Sequence, residues 1–570
     1  MVYKKEVLLG QLLVDKNIIT TEQLDEAIRE QKKSGGFLGN VLLRLGYIEE
    51  DALFPVIAEQ LGVEYVKVKN TRISASVIEK VPAKFASHYK LIPIDFTDDV
   101  LTIAVTNPLD VHTIDDIKLL LGYEAKVVLA SEEDIIDAIR EYYGIGADTL
   151  EKMMAGADTK DNFAVEASKT ENIEDMAQDA SIIKFVNQLF LQAYKDRATD
   201  IHIEPYEDEM KVRYRIDGVL YDTTIPPNIK HFQAAIISRI KIMSNLNIAE
   251  RRLPQDGRIR IKVANDELDL RVSILPTPYG ESIDIRLLGT NLQFDLESLG
   301  LLEKDLKIMA EMIKKPHGII FVTGPTGSGK TTTLYACLNK INSKEKKIIT
   351  IEDPIEYQIK NVTQIQVHPR IGLTFAQGLR SMLRHDPDIM MVGEVRDFET
   401  AEITIRVALT GHLVFSTIHT NDAAGGITRL VDMGIEPFLV ASSVECFIAQ
   451  RLVRVICPSC KKEMKPSKEI LKELGVSEIK DVSRVKFYSG EGCDECKYTG
   501  YKGRTAIYEI LVIDNAIRDL VMARKSADVI KKLAMEHGMR TLRQDGWEKI
   551  KMGITTPAEV MRVTEAQVIE

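Results

Sequence analysis

The stretch G324-P-T-G-S-G-K-T-T-T333 decides the fold of this chain. Its spacing, G-x-x-x-x-G-K-[ST], places Gly324, Gly329, Lys330 and Thr331 at the positions of a phosphate-binding loop. Glycines allow successive backbone N–H groups to turn toward phosphate oxygens, which a Cβ atom would obstruct. The apolar run GIIFVT before the loop and TTTLYACLNKI after it predict a buried strand, the loop and a helix. A chance glycine-rich turn is the alternative, and the strand–loop–helix context argues against it.

A nucleoside triphosphate is the ligand that this loop predicts. Its phosphates would meet the N-terminus of the helix, where free N–H groups and the macrodipole favour anions. Lys330 would reach the β- and γ-phosphates, and Thr331 would bind Mg²⁺. The predicted nucleotide-binding residues form one continuous run: Gly324, Pro325, Thr326, Gly327, Ser328, Gly329, Lys330, Thr331 and Thr332.

Three more apolar runs end in, or are flanked by, acidic residues or histidines. KIITIEDPIEY leads to Glu352 and Glu356, DPDIMMVGEVRD leads to Glu394, and GHLVFSTIHT is flanked by His412 and His419. Ligands of open parallel α/β sheets lie beyond the C-terminal strand ends, so we expect these residues to converge on the phosphate-binding loop. Glu394 suits the Mg²⁺ shell, and one of Glu352 and Glu356 suits the residue that orients water. The histidines are candidates to contact the γ-phosphate; taken alone, each residue has a solvated or core role as its alternative.

Two C-x-x-C pairs, Cys457/Cys460 and Cys493/Cys496, account for four of the six cysteines. Four thiolates suit tetrahedral Zn²⁺, and a site closed by four protein ligands is structural rather than catalytic. A redox pair or plain buried cysteines are the alternatives. The long gap between the two pairs requires the intervening segment to form an excursion of its own.

The N-terminal part of the chain contains an internal repeat. Residues 8–31 and 37–60 align with each other at an offset of 29, with apolar residues at helical spacing. This pattern predicts a duplicated helical hairpin with a shared core. Strand-like and helical patterns then alternate, so residues 1–143 are predicted as one helical-repeat plus α/β domain.

The rest of the chain divides by composition into three segments. Residues 144–179 are polar, acidic and poor in aromatic residues, which predicts a flexible linker. An amphipathic helix and several strand patterns follow, so residues 180–298 are predicted as a small α/β domain. Residues 299–570 contain the phosphate-binding loop and both cysteine pairs, and are predicted as the nucleotide-binding domain.

The overall composition limits the classes of partner. The chain has 74 Lys and Arg against 85 Asp and Glu, a net charge of −11, which argues against a protein built to bind nucleic acid. No apolar run reaches the roughly 18 residues that span a bilayer, and the N-terminus lacks the pattern of a cleaved signal. We therefore expect a cytoplasmic chain that contacts a membrane only through a partner.

Six stretches of the sequence closely resemble the secretion-type hexameric ATPases. They are RRLPQDGRI, TGPTGSGKTTTLY, TIEDPIEY, GLRSMLRHDPDIMMVGEVRD, TGHLVFSTIHTNDA and AQRLVRVICPSC. Within that superfamily the chain is similar to the type IV pilus assembly (extension) ATPases, with the type II secretion ATPases as close relatives. The resemblance covers nearly the whole chain and implies a RecA-like P-loop ATPase domain with a zinc-binding insertion.

The resemblance also implies roles for individual residues. Glu356 matches the general-base position, Glu394 the Walker B glutamate and Lys330 the phosphate lysine. Arg271 and Arg286 match arginines that reach a neighbouring subunit's nucleotide, where a guanidinium stabilises charge on the γ-phosphate. For either arginine a surface salt bridge is the alternative. The remaining matches are His412 and His419 in the family's His box and the four cysteines in its zinc-binding insertion.

The N-terminal repeat resembles the duplicated module by which some of these ATPases bind cyclic di-GMP. Gly10 and Gly39 match the module, but its arginine is expected where this chain has Leu8 and Phe37. Asn17 also replaces the expected glycine of the first copy. Losing both arginines removes a planar cation that pairs with phosphate or stacks on guanine, so a purely structural docking module is the alternative.

As a whole, the resemblance implies an ATP-hydrolysing homohexameric motor. It would use ATP and Mg²⁺ and drive pilin polymerisation through an inner-membrane platform protein, with an accessory docking partner at the N-terminal domain. The type II secretion motor is the alternative within the same chemistry. A nucleic-acid translocase is disfavoured by the acidic charge, and a non-hydrolysing scaffold by the presence of Lys330, Glu356 and Glu394.

Overall fold

A computed structural model shows a chain that divides into two compact units, Met1–Gly289 and Thr290–Glu570. The predicted fold class, α/β throughout with a RecA-like sheet in the second unit, is confirmed by the sheets described below. Of the predicted linker, 144–179, only residues 144–147, 149 and 179 are among those described. The structure describes residues 9–35, 37–108, 122–147, 149, 179–263, 266–289, 295–474 and 485–564.

The first unit begins with four helices arranged as two copies of one hairpin. A Cβ atom added to Gly10 would lie 2.5 Å from Leu24, and one added to Gly39 would lie 3.2 Å from Leu53. The same close contact is therefore made at equivalent positions of both copies, which explains the paired glycines. The helices are α1 (Leu9–Asp15), α2 (Thr21–Ser34), α3 (Leu38–Arg44) and α4 (Glu50–Leu61).

The turn inside each hairpin has the same backbone conformation. Asn17 has φ of 56° and its equivalent in the second copy, Gly46, has φ of 71°. Both values lie in the left-handed region, which asparagine tolerates better than most residues because its short polar side chain bonds locally. The exchange of glycine for Asn17 therefore preserves the turn.

A three-stranded sheet follows the helical repeat, in the order β1-β2-β3, with β1 antiparallel and β3 parallel to β2. Leu91, Leu101 and Ile135 are fully buried in the core that this sheet shares with its helices. The strands are β1 (Leu91–Thr97), β2 (Val100–Val105) and β3 (Glu124–Leu129), and the helices are α5 (Ala75–Ile78), α6 (Ala83–Tyr89) and α7 (Glu132–Tyr143).

The first residues of the predicted linker pack against the next sheet. Ile145 is buried in the hydrophobic core below that sheet, and its N–H donates to the Thr224 carbonyl at 3.0 Å. Gly146 has φ of 74°, and a Cβ there would lie 2.5 Å from the Phe185 ring. Gly146 is therefore required by its positive φ and by its close contact with Phe185, although the sequence predicts a flexible linker here. The chain is anchored at residues 144–147.

A second, antiparallel sheet completes the first unit, in the order β6-β5-β4-β9-β8-β7. Side chains alternate along each strand, so one face carries apolar residues such as Ile201, Leu270 and Ile285, and the other face carries charged ones. The strands are β4 (Ala198–Pro205), β5 (Met210–Ile216), β6 (Val219–Asp222), β7 (Gln255–Val263), β8 (Asp266–Thr277) and β9 (Gly280–Gly289), and the helices are α8 (Ala180–Lys195) and α9 (Gln233–Met243).

The second unit is built on a seven-stranded sheet in the order β12-β11-β13-β14-β10-β15-β18. Its strands are parallel except at the β15–β18 pair, and the inner strands are buried on both faces, as parallel sheets require. The strands of this sheet are β10 (Gly318–Thr323), β11 (Ile348–Glu352), β12 (Val362–Gln366), β13 (Ile389–Val392), β14 (Leu413–Ile418), β15 (Val444–Ile456) and β18 (Tyr501–Val512). A separate antiparallel pair is formed by β16 (Lys461–Met464) and β17 (Phe487–Gly490).

Helices of the second unit cover the two faces of this sheet. Within the described ranges of the whole chain, no helix is both long and apolar enough to cross a membrane. The helices are α10 (Glu303–Met312), α11 (Lys330–Ile341), α12 (Phe375–Met382), α13 (Phe398–Leu409), α14 (Ala423–Asp432), α15 (Pro437–Ser443), α16 (Lys468–Leu474), α17 (Asn515–Met522), α18 (Ala527–Glu536), α19 (Leu542–Lys551) and α20 (Pro557–Val563).

Candidate functional site

The glycine-rich loop lies between the buried strand β10 and helix α11. Gly324, Gly327 and Gly329 have φ of 148°, 78° and 87°, values that other residues rarely adopt. A Cβ at Gly324 would lie 2.6 Å from the Gln450 carbonyl oxygen, and one at Gly329 would lie 2.8 Å from Gln450 Nε2. Both the backbone conformation and the neighbouring strand β15 therefore require glycine here, and the loop leaves its amides at the N-terminus of α11.

Lys330 is folded over the loop that precedes it. Its Nζ donates to the carbonyl oxygens of Gly324 at 2.8 Å and Pro325 at 3.0 Å. Burial lowers the pKa of Lys330 to about 8; the charge of Glu394 opposes this shift and that of Arg451 adds to it. An anion bound in the loop would give this ammonium group the counter-charge that its buried position lacks.

Glu394 and His419 come together beyond the ends of strands β13 and β14. The Glu394 side chain is only 12% exposed, and its Oε2 lies 3.4 Å from His419 Nε2. Its Oε1 lies 2.7 Å from the Arg396 guanidinium. The effect of Glu394 on the pKa of Lys330 indicates that the carboxylate lies within electrostatic reach of the loop. An acid in this place is able to hold a divalent cation, directly or through water.

The acids after β11 have different surroundings. Glu352 is 3% exposed and accepts hydrogen bonds from Thr350 Oγ1, the Gln364 amide and the Tyr335 hydroxyl. Burial raises the pKa of Glu352, and these donors oppose the shift. Glu356 lies in the following loop and is only half-buried. The Glu352 carboxylate is thus already hydrogen-bonded to three side chains of the protein, so Glu356 is the better candidate to orient water.

His412 is not brought to the loop. It precedes β14, and its ring Nδ1 lies 3.0 Å from the Val407 carbonyl oxygen. Its own carbonyl accepts from the Gly318 N–H at 3.1 Å, so it lies beside the start of β10, whereas the phosphate-binding loop follows the end. A six-residue strand spans roughly 20 Å, which separates His412 from the loop. The expectation that both histidines converge there fails for His412 because the two flank opposite ends of one strand.

The two predicted arginines lie on the charged face of the six-stranded sheet in the first unit. Arg271 and Arg286 are directly opposite each other on β8 and β9, and Arg258 on β7 is opposite Arg271. Arg286 is 50% exposed and its Nε donates to Asp200 Oδ1 at 3.0 Å. Arg258 forms a two-point ion pair with Asp269. The structure thus presents a row of guanidinium groups across three neighbouring strands.

Gln450 and Arg451 flank the loop from strand β15, although the motif spacing in the sequence predicts no role for either residue. Gln450 is buried and its Oε1 accepts from Thr333 Oγ1, on helix α11, at 2.8 Å. Arg451 donates to the Asn421 carbonyl at 3.0 Å and approaches Gly324. Both residues belong to the stretch AQRLVRVICPSC, so the signal was present as a match to the family, but spacing alone does not indicate which strand lies beside the loop.

The four paired cysteines form one cluster. Their sulfur atoms all lie within 4.8 Å of one another, and the measured pairs are 3.7 to 3.8 Å apart. Four Zn–S bonds of about 2.3 Å in a tetrahedron place the sulfur atoms about 3.8 Å apart, whereas a disulfide requires about 2.05 Å. Strands β16 and β17 pair with each other and bring the two C-x-x-C segments together. The donors therefore fit a tetrahedral soft cation such as Zn²⁺.

Comparisons with known proteins agree with this arrangement. Residues 175–562 match the model of the type II/IV secretion system protein family, and residues 61–149 match the MshEN domain. The type IV pilus assembly ATPase PilB of Myxococcus xanthus is 44% identical over 97% of this chain and 98% of its own length. The type II secretion system protein E of Xanthomonas campestris is 42% identical over 98% and 99%. The ATPase DotB of Legionella pneumophila, 22% identical, shares the fold with a TM-score of 0.50 over 66% of this chain and 95% of its own.

Proposed function

This chain belongs to the type II/IV secretion system protein family, and from that membership we propose that it is an ATP-hydrolysing motor for type IV pilus assembly. Proteins named as pilus assembly and type II secretion ATPases align with it almost from end to end. The ATPase activity rests on one observation: a glycine-rich loop with Lys330 folded over it and Glu394 within electrostatic reach. The alternative load is the type II secretion system.

Residues of the second unit bind the nucleotide and activate the water that attacks it. The amides of the loop and Lys330 bind the β- and γ-phosphates. Thr331 and Glu394 would hold Mg²⁺, which would neutralise charge on the phosphate oxygens. Glu356 orients the attacking water and accepts its proton. His419 contacts the γ-phosphate in this proposal, which is supported by the 3.4 Å distance from its ring Nε2 to Glu394 Oε2.

The first unit supplies positive charge to the reaction. We assign Arg271 and Arg286 to the nucleotide of a neighbouring subunit in a homohexamer, where a guanidinium stabilises the charge that develops on the γ-phosphate. Hydrolysis then changes the contacts between subunits and moves them as rigid bodies. The force is passed to a platform protein in the inner membrane, which places the motor at the cytoplasmic face of that membrane.

An activity assay on the purified full-length chain tests this proposal. The wild type is expected to release phosphate from ATP with a rate per subunit that rises with protein concentration until hexamers form, because each site needs a neighbour. Lys330→Ala is expected to abolish turnover. A rate per subunit that is independent of assembly would contradict the role of the arginines, and absence of any turnover would contradict the ATPase. Loss of pili, rather than of secreted enzymes, in a deletion strain would identify the load.

The cysteine cluster is proposed to hold one structural Zn²⁺. Metal analysis of the purified chain is expected to give one zinc per subunit, and Cys493→Ser is expected to remove it and lower the melting temperature. Since a structural site contributes folding free energy directly, the loss should amount to several kcal/mol. A chain that contains no zinc and melts at the same temperature as Cys493→Ser would contradict this assignment.

The N-terminal repeat has two candidate functions, structural docking to an accessory partner and binding of cyclic di-GMP. Phe37 stands where the module's arginine is expected and is 82% exposed at the start of α3; Leu8, at the equivalent position, lies outside the described residues. The close helix contacts at Gly10 and Gly39 are present in both copies. Calorimetric titration of the full chain with cyclic di-GMP decides between the two, because a purely structural module gives no heat of binding.

A further inference from the structure

The loop that carries Glu356 connects β11 to β12 and is held by side chains from three different elements. They are Tyr335 on helix α11, Glu352 at the end of β11 and Gln364 on β12. We call these three residues the positioning network. None of them has a role in the reaction proposed above, and the sequence indicates a role only for Glu352, as an alternative to Glu356.

Glu352 joins the other two members of the network. Its Oε1 accepts from Gln364 Nε2 at 3.1 Å and from Thr350 Oγ1 at 2.5 Å, and its Oε2 accepts from the Tyr335 hydroxyl. Because the residue is 3% exposed, these donors replace the water that a carboxylate needs. Loss of any one donor leaves part of a buried negative charge without compensation, which makes the arrangement specific.

Tyr335 and Gln364 in turn hold the loop. The Gln364 amide group donates to the Tyr357 carbonyl at 2.9 Å, and its Oε1 accepts from the Ile359 N–H at 2.8 Å. The Tyr335 ring packs edge-to-face against the Tyr357 ring, with the two ring centroids 6.3 Å apart. The loop is therefore held at Tyr357, the residue directly after Glu356, and at Ile359.

We propose that Tyr335, Glu352 and Gln364 are positioning residues that hold Glu356 at a fixed place relative to the phosphate-binding helix. Tyr335 lies on α11, the same helix whose N-terminus would bind the phosphates, five residues after Lys330. The contacts that run from Tyr335 through Glu352 and Gln364 to the residues after Glu356 therefore set the distance from the water-orienting carboxylate to the γ-phosphate. A displacement of about 1 Å in such a group lowers rates by as much as a hundredfold. The inference rests on the proposed ATPase function and adds the groups that orient its base.

The network is suited to a sharp test because none of its side chains is expected to contact nucleotide. Tyr335→Phe removes one oxygen atom and keeps the packing of the ring. We expect kcat for ATP hydrolysis to fall at least tenfold, while KM and the dissociation constant of a non-hydrolysable ATP analogue stay within twofold. Tyr214→Phe is the matched control, because Tyr214 is also buried and donates one hydrogen bond, to the Leu189 carbonyl, in the first unit. It is expected to keep the wild-type kcat.

A charge exchange gives a second, independent test. Gln364→Glu removes the donor and places a second carboxylate against Glu352, so we expect kcat to fall as in Tyr335→Phe or further. The double variant Glu352→Gln with Gln364→Glu restores the donor–carboxylate pair between the two positions in reversed order, but not the hydrogen bond from position 364 to the Tyr357 carbonyl, so the recovery is partial. The kcat of the double variant is expected to be at least threefold higher than that of Gln364→Glu. General damage to the fold would not produce such a recovery.

The possible results separate this inference from the function on which it rests. No ATP turnover by the wild type overturns the ATPase function itself. Wild-type turnover together with an unchanged kcat in Tyr335→Phe overturns the positioning role. A parallel loss of analogue binding, melting temperature and kcat in Tyr335→Phe, with no recovery in the double variant, assigns the network to stability alone and also overturns the proposal.

Discussion

The two large sheets of this protein carry their functional groups in different places. In the parallel sheet of the second unit, the phosphate-binding loop, Glu394 and His419 follow the C-terminal ends of strands whose side chains are buried on both faces. In the antiparallel sheet of the first unit, Arg271 and Arg286 lie within strands, on the face that carries the charged side chains. The parallel sheet therefore carries these groups along the C-terminal ends of its strands, which we call its edge. The antiparallel sheet carries them on one face.

This difference follows from how the strands of each sheet are connected and which of its faces are covered. A parallel sheet needs helical crossovers, which cover both faces and leave only the strand ends free for chemistry. An antiparallel sheet packs one face on its core and leaves the other to polar residues. Variants in the two regions should therefore have different effects: those at the strand ends remove groups that we propose act on the subunit's own nucleotide, and those on the face remove groups that we propose act on a neighbour's.

The largest effect is expected at the edge. Glu356→Gln keeps the shape of the side chain but cannot accept a proton, so kcat should fall about 1000-fold, within the range found for loss of a general base. ATP binding should persist because the loop amides and Lys330 are unchanged. Single-turnover hydrolysis and equilibrium binding of a labelled nucleotide measure the two separately, and unchanged turnover would exclude Glu356 from the reaction.

On the face of the antiparallel sheet, Arg286→Gln should lower turnover about 100-fold, less than the arginine fingers supplied by dedicated partners, because Arg271 lies beside it. The defect should appear only in assembled protein. Arg260→Gln, an exposed arginine two residues from Arg258 on β7, is the control and should turn over normally. Mixing Arg286→Gln with excess Lys330→Ala subunits should restore part of the activity if the arginine acts between subunits; failure to do so would place it within its own subunit.

The two sheets also differed in how far the sequence predicted them. Residues at the edge follow their strands directly, so each motif is contiguous: the loop, EDPIEY and GEVRD were found from the residues alone. Residues on the face alternate along separate strands, and Arg258, Arg271 and Arg286 become neighbours only through strand pairing. Arg271 and Arg286 were named only through the resemblance to a family, and their roles stay proposals; Arg258 was not named. Tyr335 and Gln364 were missed for the same reason, since they meet Glu352 from two other elements.

The two histidines that flank β14 test whether only residues beyond the C-terminal strand ends act in catalysis. His419→Ala, at the C-terminal end, should lower turnover about tenfold because its ring contacts Glu394. His412→Ala, at the other end, loses hydrogen bonds to Val407 and Thr410 and should lower stability by about 1 kcal/mol without changing kcat. Steady-state kinetics and thermal melts distinguish the two. Equal kinetic defects would show that distance from the strand end does not decide function here.

The smallest effect concerns the proton on Lys330. Burial lowers its pKa to about 8 in the nucleotide-free protein, and bound phosphates favour the charged form, so ATP binding takes up a proton when the pH exceeds that value. Affinity should therefore weaken as pH rises, by about fourfold between pH 7 and pH 8.5, and stay constant below pH 7. Calorimetry in two buffers of different ionisation enthalpy measures the uptake directly. Lys330→Arg remains protonated throughout, so its affinity, although weaker, should lose this pH dependence; if it does not, another group at the edge of the sheet takes up the proton.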